Sequence, residues 1–200
     1  MATKGLETRR RIVEQALQLF SVKGYYNTSI SDIQEATGLT KGGLYGHFTS
    51  KEDIWYAVYD EAVEIWKGIV FKGIRSHHDP LERVETFIRN DLEAYLGGEV
   101  FDGGCFFLNM LVELSGQSAA MSRRILRGFV QMSRLMRSWL EEADGKGLLR
   151  AGIDLKEVAN FIVITLNGAA ALYIASRDRT ILYQTVAQLR FYIDQLKRSA

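Results

Sequence analysis

Residues 41–48 combine two side chains that could contact DNA bases, Lys41 and Tyr45, with a glycine face that has no side chains. Lys41 and Tyr45 lie about one helical turn apart, and Lys41 can reach guanine acceptors while Tyr45 can contact a thymine methyl group or a phosphate. The outermost face on a helical wheel is glycine, at Gly42, Gly43 and Gly46. Glycine permits close backbone approach, at about 1 kcal/mol of helix propensity each relative to alanine. This segment therefore offers contact with a DNA duplex.

A histidine pair, His77-His78 followed by Asp79, is the feature that most resembles an enzyme or metal site. Adjacent histidines on a helix point about 100° apart, and no HExxH spacing accompanies them. We interpret them as a polar helix end. We expect no catalytic residue, no metal and no cofactor, and we do not expect an enzyme.

The lone cysteine, Cys105, follows Gly103-Gly104 close to a predicted helix start. A helix N-terminus can lower a thiol pKa and raise its reactivity. A small buried apolar side chain is the other interpretation, and the sequence leaves both open. One cysteine excludes an intrachain disulfide and a cysteine-rich zinc site.

The helices of the C-terminal part interleave aromatic, methionine and isolated polar side chains. Pockets between bundle helices have this mixture, although ordinary cores have it too. The residues that we predict to bind a small molecule are Trp66, Phe87, Asp91, Tyr95, Cys105, Phe106, Asn109, Met110, Glu113, Met132 and Met136.

Helical periodicity, capping boxes and glycine breaks predict about nine helices and an all-α fold. The chain has a single proline, which fits long uninterrupted helices, and no stretch alternates at the period of a strand. The predicted helices span about Arg9–Lys23, 30–38, Lys41–Phe48, 51–76, Leu81–Tyr95, Phe106–Leu114, Ser118–Ala143, Leu155–Ala175 and Ile181–Arg198.

The second and third predicted helices form a helix-turn-helix. Ser29 and Asp32 make a capping box, and Gly38 allows a turn that other residues resist. The predicted small core of this unit is Ile33, Leu39, Leu44 and Phe48.

The eighth predicted helix is apolar nearly all round, so it must be buried on every side. Burial within one chain is one explanation. The other is a second subunit, with the last two helices paired across a two-fold axis. Residues 168–171, all glycine or alanine, would permit close helix approach. A dimer would present two recognition helices to a palindromic site.

Residues 9–55 resemble the DNA-binding region of the TetR family of transcriptional repressors. The matching residues are Arg11-Ile12 to Phe20, Gly24-Tyr25, Thr28-Ser29, Ile33, Gly38-Leu39-Thr40-Lys41-Gly42, Leu44-Tyr45, His47-Phe48 and Lys51-Glu52. The chain departs from the family at Gln34 and Thr37, where alanine is usual, and at Gly46, where a larger residue is usual. These departures concern operator recognition rather than the fold.

The resemblance implies a helix-turn-helix DNA-binding domain over residues 1–50 and a helical ligand-binding and dimerisation domain over 51–200. It implies a homodimer that binds palindromic operator DNA and is released by a small-molecule inducer. Repression is commoner in the family, but activation stays open. A helical dimeric protein-interaction module without DNA binding is the alternative function. The resemblance and the exposed face of residues 41–48 together indicate the DNA-binding residues. They are Thr28, Gln34, Thr40, Lys41, Gly42, Gly43, Tyr45, His47 and Lys51.

Charge and composition fit this interpretation. Net charge is +1, but residues 1–51 carry seven Lys and Arg against four Asp and Glu. This excess makes the N-terminal quarter the expected polyanion-facing part. Residues 1–11 are polar and basic, unlike a signal peptide, and no apolar run of about 20 residues is present. We therefore expect a cytoplasmic protein with no membrane span.

Overall fold

Nine α-helices and no strand make up the fold of residues 2–198, the part that this computed structural model describes; of residues 2–4 it describes the backbone alone. The helices are α1 (Ala2–Lys23), α2 (Ile30–Thr37), α3 (Lys41–Tyr45), α4 (Lys51–Val70), α5 (Pro80–Arg89), α6 (Phe106–Leu114), α7 (Ala119–Gly145), α8 (Leu155–Ser176) and α9 (Thr180–Leu196). The all-α prediction is confirmed. The outer limits predicted for the two domains, residues 1 and 200, lie outside the described residues.

Helix starts follow the capping patterns of the sequence. The Ser29 hydroxyl accepts from the Asp32 N–H at 3.0 Å, and the Asp32 carboxylate accepts from the Ser29 N–H at 2.7 Å. This is the predicted capping box. Asp154 caps α8 in a related way, accepting from Lys156 and Glu157. Short-range polar contacts therefore fix where these helices begin.

Helix α3 is shorter than predicted. It ends at Tyr45 rather than Phe48, and residues 46–48 continue as a turn in which the His47 and Phe48 N–H groups both donate to Leu44 O. Three glycines within six residues lower the helix propensity of the segment. The same composition that leaves its outer face bare also limits its length.

The predicted fourth and fifth helices each end early. α4 stops at Val70, and after Gly73, which has a left-handed φ of 79°, a short 3₁₀ helix covers Ile74–Ser76. α5 stops at Arg89 and continues as a π-helical segment, Asn90–Leu96. The Asn90 amide donates to two carbonyl oxygens at the end of α4 and just after it, those of Val70 at 3.1 Å and Lys72 at 2.9 Å.

One continuous core joins the N-terminal helices to the rest. α1 packs on α2 and α4, while α7 packs on α5, α6 and α8, and α8 packs on α9. Phe20, Trp55 and Phe106 are fully buried in this core. The helix-turn-helix therefore sits on a packed support that extends into the C-terminal helices.

Candidate DNA interface and ligand cavity

The turn between α2 and α3 is built on Gly38. Its left-handed φ of 67° lets its N–H reach the carbonyls at the end of α2, and the Leu39 N–H donates to Gln34 O at 3.2 Å. The Thr40 hydroxyl then accepts from the Gly43 N–H at 3.1 Å and caps α3. These backbone bonds set the direction in which α3 leaves the turn.

Two buried side chains anchor the α3 segment, as predicted. Leu44 is fully buried and Phe48 nearly so, and the Arg9 guanidinium lies 4.7 Å from the centre of the Phe48 ring. Lys41 and Tyr45 are exposed on the other side. The segment thus presents an outward surface while its inner side is fixed.

The glycine surface of α3 is not required by the fold. A Cβ atom built on Gly42 meets no heavy atom within 4 Å, and Gly42, Gly43 and Gly46 have no left-handed φ. At Gly43 and Gly46 the nearest atoms would lie at 3.4 Å. At Gly42, then, the free protein has room for a side chain that the sequence does not provide.

Thr28 does not have the position expected of a phosphate contact. Its side chain is fully buried, and its hydroxyl donates to Gly24 O at 2.7 Å. The prediction for Thr28 fails because its hydroxyl is needed inside the connection between α1 and α2.

Lys51 is tied to the same connection. Its ammonium group donates to Tyr25 O and Thr28 O, both at 2.9 Å, and lies 4.3 Å from the centre of the Tyr25 ring. Partial burial lowers the pKa of Lys51. This lysine links α4 to the connection between α1 and α2.

Glu113, predicted to bind a ligand, is instead hydrogen-bonded to the connection between α1 and α2. Its carboxylate accepts from the Tyr25 N–H at 2.9 Å and from the Tyr26 N–H at 2.8 Å. Gly24 leaves the space for it, since a Cβ atom there would lie 2.7 Å from a Glu113 oxygen. Nothing in the local sequence of α6 signals this contact, because its partners are backbone groups far away in the chain.

A cavity of about 560 Å³ lies between α4, the π-helical segment, α6, α7 and α8. Five of the predicted ligand residues line it: Trp66, Asp91, Tyr95, Cys105 and Met132. The sequence reasoning missed the rest of the lining, which includes Tyr59, Phe71, Phe107, Arg124, Arg127, Phe129 and Asn167. Their apolar periodicity could have placed several of them in the core, but not beside a cavity.

The other predicted ligand residues lie elsewhere. Phe87, Phe106, Met110 and Met136 are buried in the packed core, and the Asn109 amide donates to Gly103 O at 2.8 Å. Neighbouring residues on a helix point about 100° apart, so Phe107 lines the cavity while Phe106 faces away from it. Composition predicted the residue types of this region, but helix packing decides which of these side chains face the cavity.

Asp91 is the one acidic side chain that is buried within residues 5–198. Its carboxylate accepts from the Trp66 indole N–H at 2.8 Å. Burial raises its pKa to about 6, with the Trp66 hydrogen bond acting in the opposite direction. Beside it, the Tyr95 hydroxyl donates to the Cys105 sulfur at 3.9 Å.

Cys105 is the N-cap residue of α6, close to the helix start as predicted, but it is not an activated thiol. It is 7% exposed, and burial raises its pKa to about 11 despite hydrogen bonds from the start of the helix. Desolvation of the thiolate outweighs the helix N-terminus. The structure favours the small buried side chain over the reactive one.

The charged lining residues pair at the exposed edge of the cavity. Arg124 lies 2.6 Å from Asp60, and Lys67 lies 2.9 Å from Glu64. All four side chains are at least 42% exposed. The interior thus holds Asp91, and the edge holds two neutralised pairs together with exposed Arg127.

The histidine pair belongs to a helix boundary. The His77 ring nitrogens lie 3.1 Å from Glu82 and 3.0 Å from Thr86, and Asp79 caps α5 by accepting from the Leu81 N–H at 2.8 Å. No group of three or more His, Cys, Asp and Glu side chains in the described part of the chain could hold a metal ion.

An apolar stripe on α8 is left uncovered by its own chain. Ile164 is 69% exposed and Leu172 is 61% exposed, with Phe161 and Gly168 on the same face. By length and composition α8 could cross a membrane, which is weak evidence because core helices of soluble proteins pass the same test. The opposite face of α8 is buried against α7 and α9.

Two family models match the chain. Residues 12–58 match the model described as bacterial regulatory proteins, tetR family. Residues 80–189 match the tetracyclin repressor-like C-terminal domain. The first covers the helix-turn-helix and the second covers most of the helices around the cavity.

Similar proteins match most of the chain. The HTH-type transcriptional repressor DhaR of Mycobacterium sp. (strain GP1) is 27% identical over 177 residues, which are 88% of this chain and 87% of DhaR. A TetR transcriptional regulator from Chloroflexus aurantiacus J-10-FL is 33% identical with a TM-score of 0.92, covering 99% of this chain and all of that one. A TetR-family regulator from Cytophaga hutchinsonii shares the fold at a TM-score of 0.87 and 23% identity, with 98% of both chains covered.

Proposed function

This chain belongs to the TetR family of bacterial regulatory proteins, and on that basis we propose how its residues carry out its function. It is a ligand-responsive helix-turn-helix transcriptional regulator of the repressor type. It acts in the cytoplasm as a homodimer that contacts DNA through α3 and binds an inducer in the cavity. The domain boundary is placed after residue 50, where α4 begins.

The α3 segment enters the major groove of operator DNA. Lys41 and Tyr45 contact bases or phosphates, and Gly42 and Gly43 let the backbone come close to the duplex. The supporting observation is the two-sided character of the segment, which is anchored by buried Leu44 and exposes Lys41, Gly42 and Tyr45. Thr40, His47 and Gln34 are secondary contacts on its flanks. Lys51 positions the domain from inside, through Tyr25 and Thr28.

The homodimer forms through α8 and α9. Exposed apolar side chains lie on both helices: Phe161, Ile164 and Leu172 on α8, and Tyr183 and Phe191, which are 52% and 61% exposed, on α9. Exposed apolar surface of this extent marks an interaction site. Gly168, with open space where a Cβ would stand, allows a second helix to approach closely. The dimer carries two α3 segments to the two halves of a palindromic operator.

The cavity is the inducer site, and two helices connect it to the DNA-binding domain. α6 brings Phe107 to the cavity and Glu113 to the connection between α1 and α2. α4 brings Trp66 to the cavity and Lys51 to the same connection. A ligand that moves either helix changes the position of α1 and α2, which is how two distant sites become energetically coupled.

Operator binding by wild type, Lys41→Ala and a matched control tests the DNA proposal. Fluorescence anisotropy would use the DNA upstream of the protein's own gene across a range of salt concentrations. We expect strong salt dependence, and Lys41→Ala should weaken binding by about 1–3 kcal/mol. Lys72→Ala is the control: this exposed lysine lies beyond the far end of α4, roughly 30 Å from Lys51.

The control variant should bind like wild type. Salt-insensitive binding, or an equal effect of both substitutions, would contradict the assignment of α3 as the recognition helix. If no DNA is bound at any salt concentration, the helix-turn-helix does not act on the upstream DNA.

A further inference from the structure

The cavity is lined by one buried acidic side chain, Asp91, and by several aromatic side chains. Asp91 is 8% exposed, and the Trp66 indole N–H is its hydrogen-bonding partner among the described side chains. Trp66, Tyr59, Phe71, Tyr95 and Phe107 line the same cavity. Trp66 and Phe107 meet edge to face at a centroid distance of 6.0 Å, as do Tyr59 and Phe107 at 5.8 Å.

The position of Asp91 depends on the π-helical segment. The chain leaves α5 at Arg89 and widens over Asn90–Leu96, where Asp91, Tyr95 and Leu96 all line the cavity. Single π-helical turns inside α-helices are frequent at functional sites. Here the wider turn puts a carboxylate on a cavity wall that is otherwise largely apolar.

Burying this carboxylate costs stability because, among the described residues, its side chain has one hydrogen bond, from Trp66, and no ion-pair partner. An isolated buried charge is expensive unless it is paired and hydrogen-bonded. The nearby titratable groups are Tyr95 and Cys105, and burial raises the pKa of both, which keeps them neutral. Neither can neutralise Asp91.

The other charges of the lining are at the edge and largely cancel. Asp60 is paired with Arg124, and Glu64 is paired with Lys67. Arg127 is exposed, so solvent and salt screen it. The electrostatic preference of the interior is therefore set by Asp91, which repels an anion and lacks a cationic partner.

We infer that the cavity takes a cationic ligand: an apolar, preferably aromatic molecule whose ammonium group pairs with Asp91 among the faces of Trp66, Tyr95 and Phe107. The ammonium group supplies both the missing charge and additional hydrogen-bond donors. The aromatic faces attract the same cation through their quadrupoles. This inference rests on the proposed function, in which the cavity is the inducer site.

Three probes with one aromatic body and different charges test the ligand class on the full-length protein. They are 1-naphthalenemethanamine as the cation, 1-naphthalenemethanol as the neutral compound and 1-naphthoate as the anion. Isothermal titration calorimetry at about pH 7.5 should give the amine at least about tenfold tighter binding than the alcohol or the acid. Equal or tighter binding of the alcohol or the acid, or no binding of the amine, overturns the inference.

Asp91→Asn should remove the preference for the amine and leave the affinity for the alcohol within about twofold. Glu93→Gln is the matched control, because this acid lies on the same π-helical segment and outside the cavity lining. It should keep the wild-type preference. Retention of the preference by Asp91→Asn contradicts the pairing with Asp91.

A pH series on the wild type gives a second test that needs no variant. Because the carboxyl group has a pKa of about 6, amine affinity should fall about tenfold between about pH 7.5 and pH 5 as Asp91 is protonated, while alcohol affinity stays constant. A flat amine series contradicts the inference. Release of operator DNA is measured separately: an amine that binds without releasing DNA keeps the ligand class and refutes the inducer role of the cavity.

Discussion

The Glu113 carboxylate accepts a hydrogen bond from the Tyr25 backbone N–H at 2.9 Å, across a separation of 88 residues in sequence. The same carboxylate accepts a second bond from Tyr26. α6, which carries Glu113, also brings Phe107 and the preceding Cys105 to the cavity. α6 therefore joins the cavity to the end of α1, so the strength of this contact bears directly on coupling between ligand and DNA.

Glu113→Gln should weaken this connection. A glutamine offers one acceptor oxygen and no charge to two N–H donors, so we expect a loss of about 1–2 kcal/mol in the free energy of unfolding. The Tyr25 and Tyr26 amides should exchange hydrogen faster. Urea denaturation and hydrogen exchange resolved by residue measure the two effects.

The control for this variant is Glu141→Gln, which removes a carboxylate from an exposed ion pair with Arg137. Exposed pairs contribute little, so its unfolding free energy should stay within about 0.5 kcal/mol of wild type. Unchanged protection of Tyr25 and Tyr26 in Glu113→Gln would show that the hydrogen bonds do not hold the connection.

Gly42→Ala should separate stability from DNA binding. Since a Cβ atom at this position meets nothing within 4 Å and φ is not left-handed, alanine should stabilise the free protein by about 0.4–1 kcal/mol. If the backbone approaches DNA here, the added methyl group should weaken operator binding at least about tenfold. Thermal unfolding and fluorescence anisotropy measure the two quantities, and tighter operator binding would count against close backbone approach.

Ile164→Arg should break the dimer. It places a charge in the centre of the exposed stripe on α8, and a desolvated unpaired charge costs several kcal/mol. Light scattering after size exclusion should then give a mass near 22.7 kDa, and operator affinity should fall. Val112→Arg is matched in type and exposure, at 70% against 69%, and should stay dimeric. A dimer that persists in Ile164→Arg places the interface elsewhere.

Asp91 should give the free protein a characteristic pH dependence. Its pKa rises from 3.8 to about 6 on folding, so between these values the folded state binds the proton that the unfolded state has lost. Stability should therefore fall as pH rises through this window, and the penalty is complete above about pH 6.

Asp91→Asn removes that penalty while an amide oxygen can still accept from Trp66. We expect the variant to be more stable than wild type by on the order of 2 kcal/mol at about pH 8, with the difference vanishing below about pH 3. Urea denaturation at several pH values measures the difference. If the difference in unfolding free energy does not change with pH, burial does not raise the pKa of the Asp91 carboxyl group.

Much of the fold could be read from local patterns. The bounds of α6 are those predicted, Phe106–Leu114, and the capping box of Ser29 and Asp32 forms as expected. The prediction for α5 extended to Tyr95, because apolar periodicity does not distinguish an α-helical turn from the π-helical one at Asn90–Leu96. An α-helical turn and a π-helical turn differ by one residue in their backbone hydrogen bonding, and which of them forms depends on what packs around the segment.

The sequence by itself determined the helix-turn-helix and its family, because caps, a left-handed glycine and helical periodicity act between residues a few positions apart. Tertiary structure alone decided that Phe107 rather than Phe106 faces the cavity and that Glu113 accepts a hydrogen bond from Tyr25. It also decided that burial raises the pKa of the Cys105 thiol. Each of these depends on distant segments packing together, through burial and through backbone partners that leave no trace in local sequence. Asp91 shows both sides: its residue type indicated a polar site, and only tertiary packing showed that this carboxylate is buried beside Trp66 without an opposite charge among the described residues.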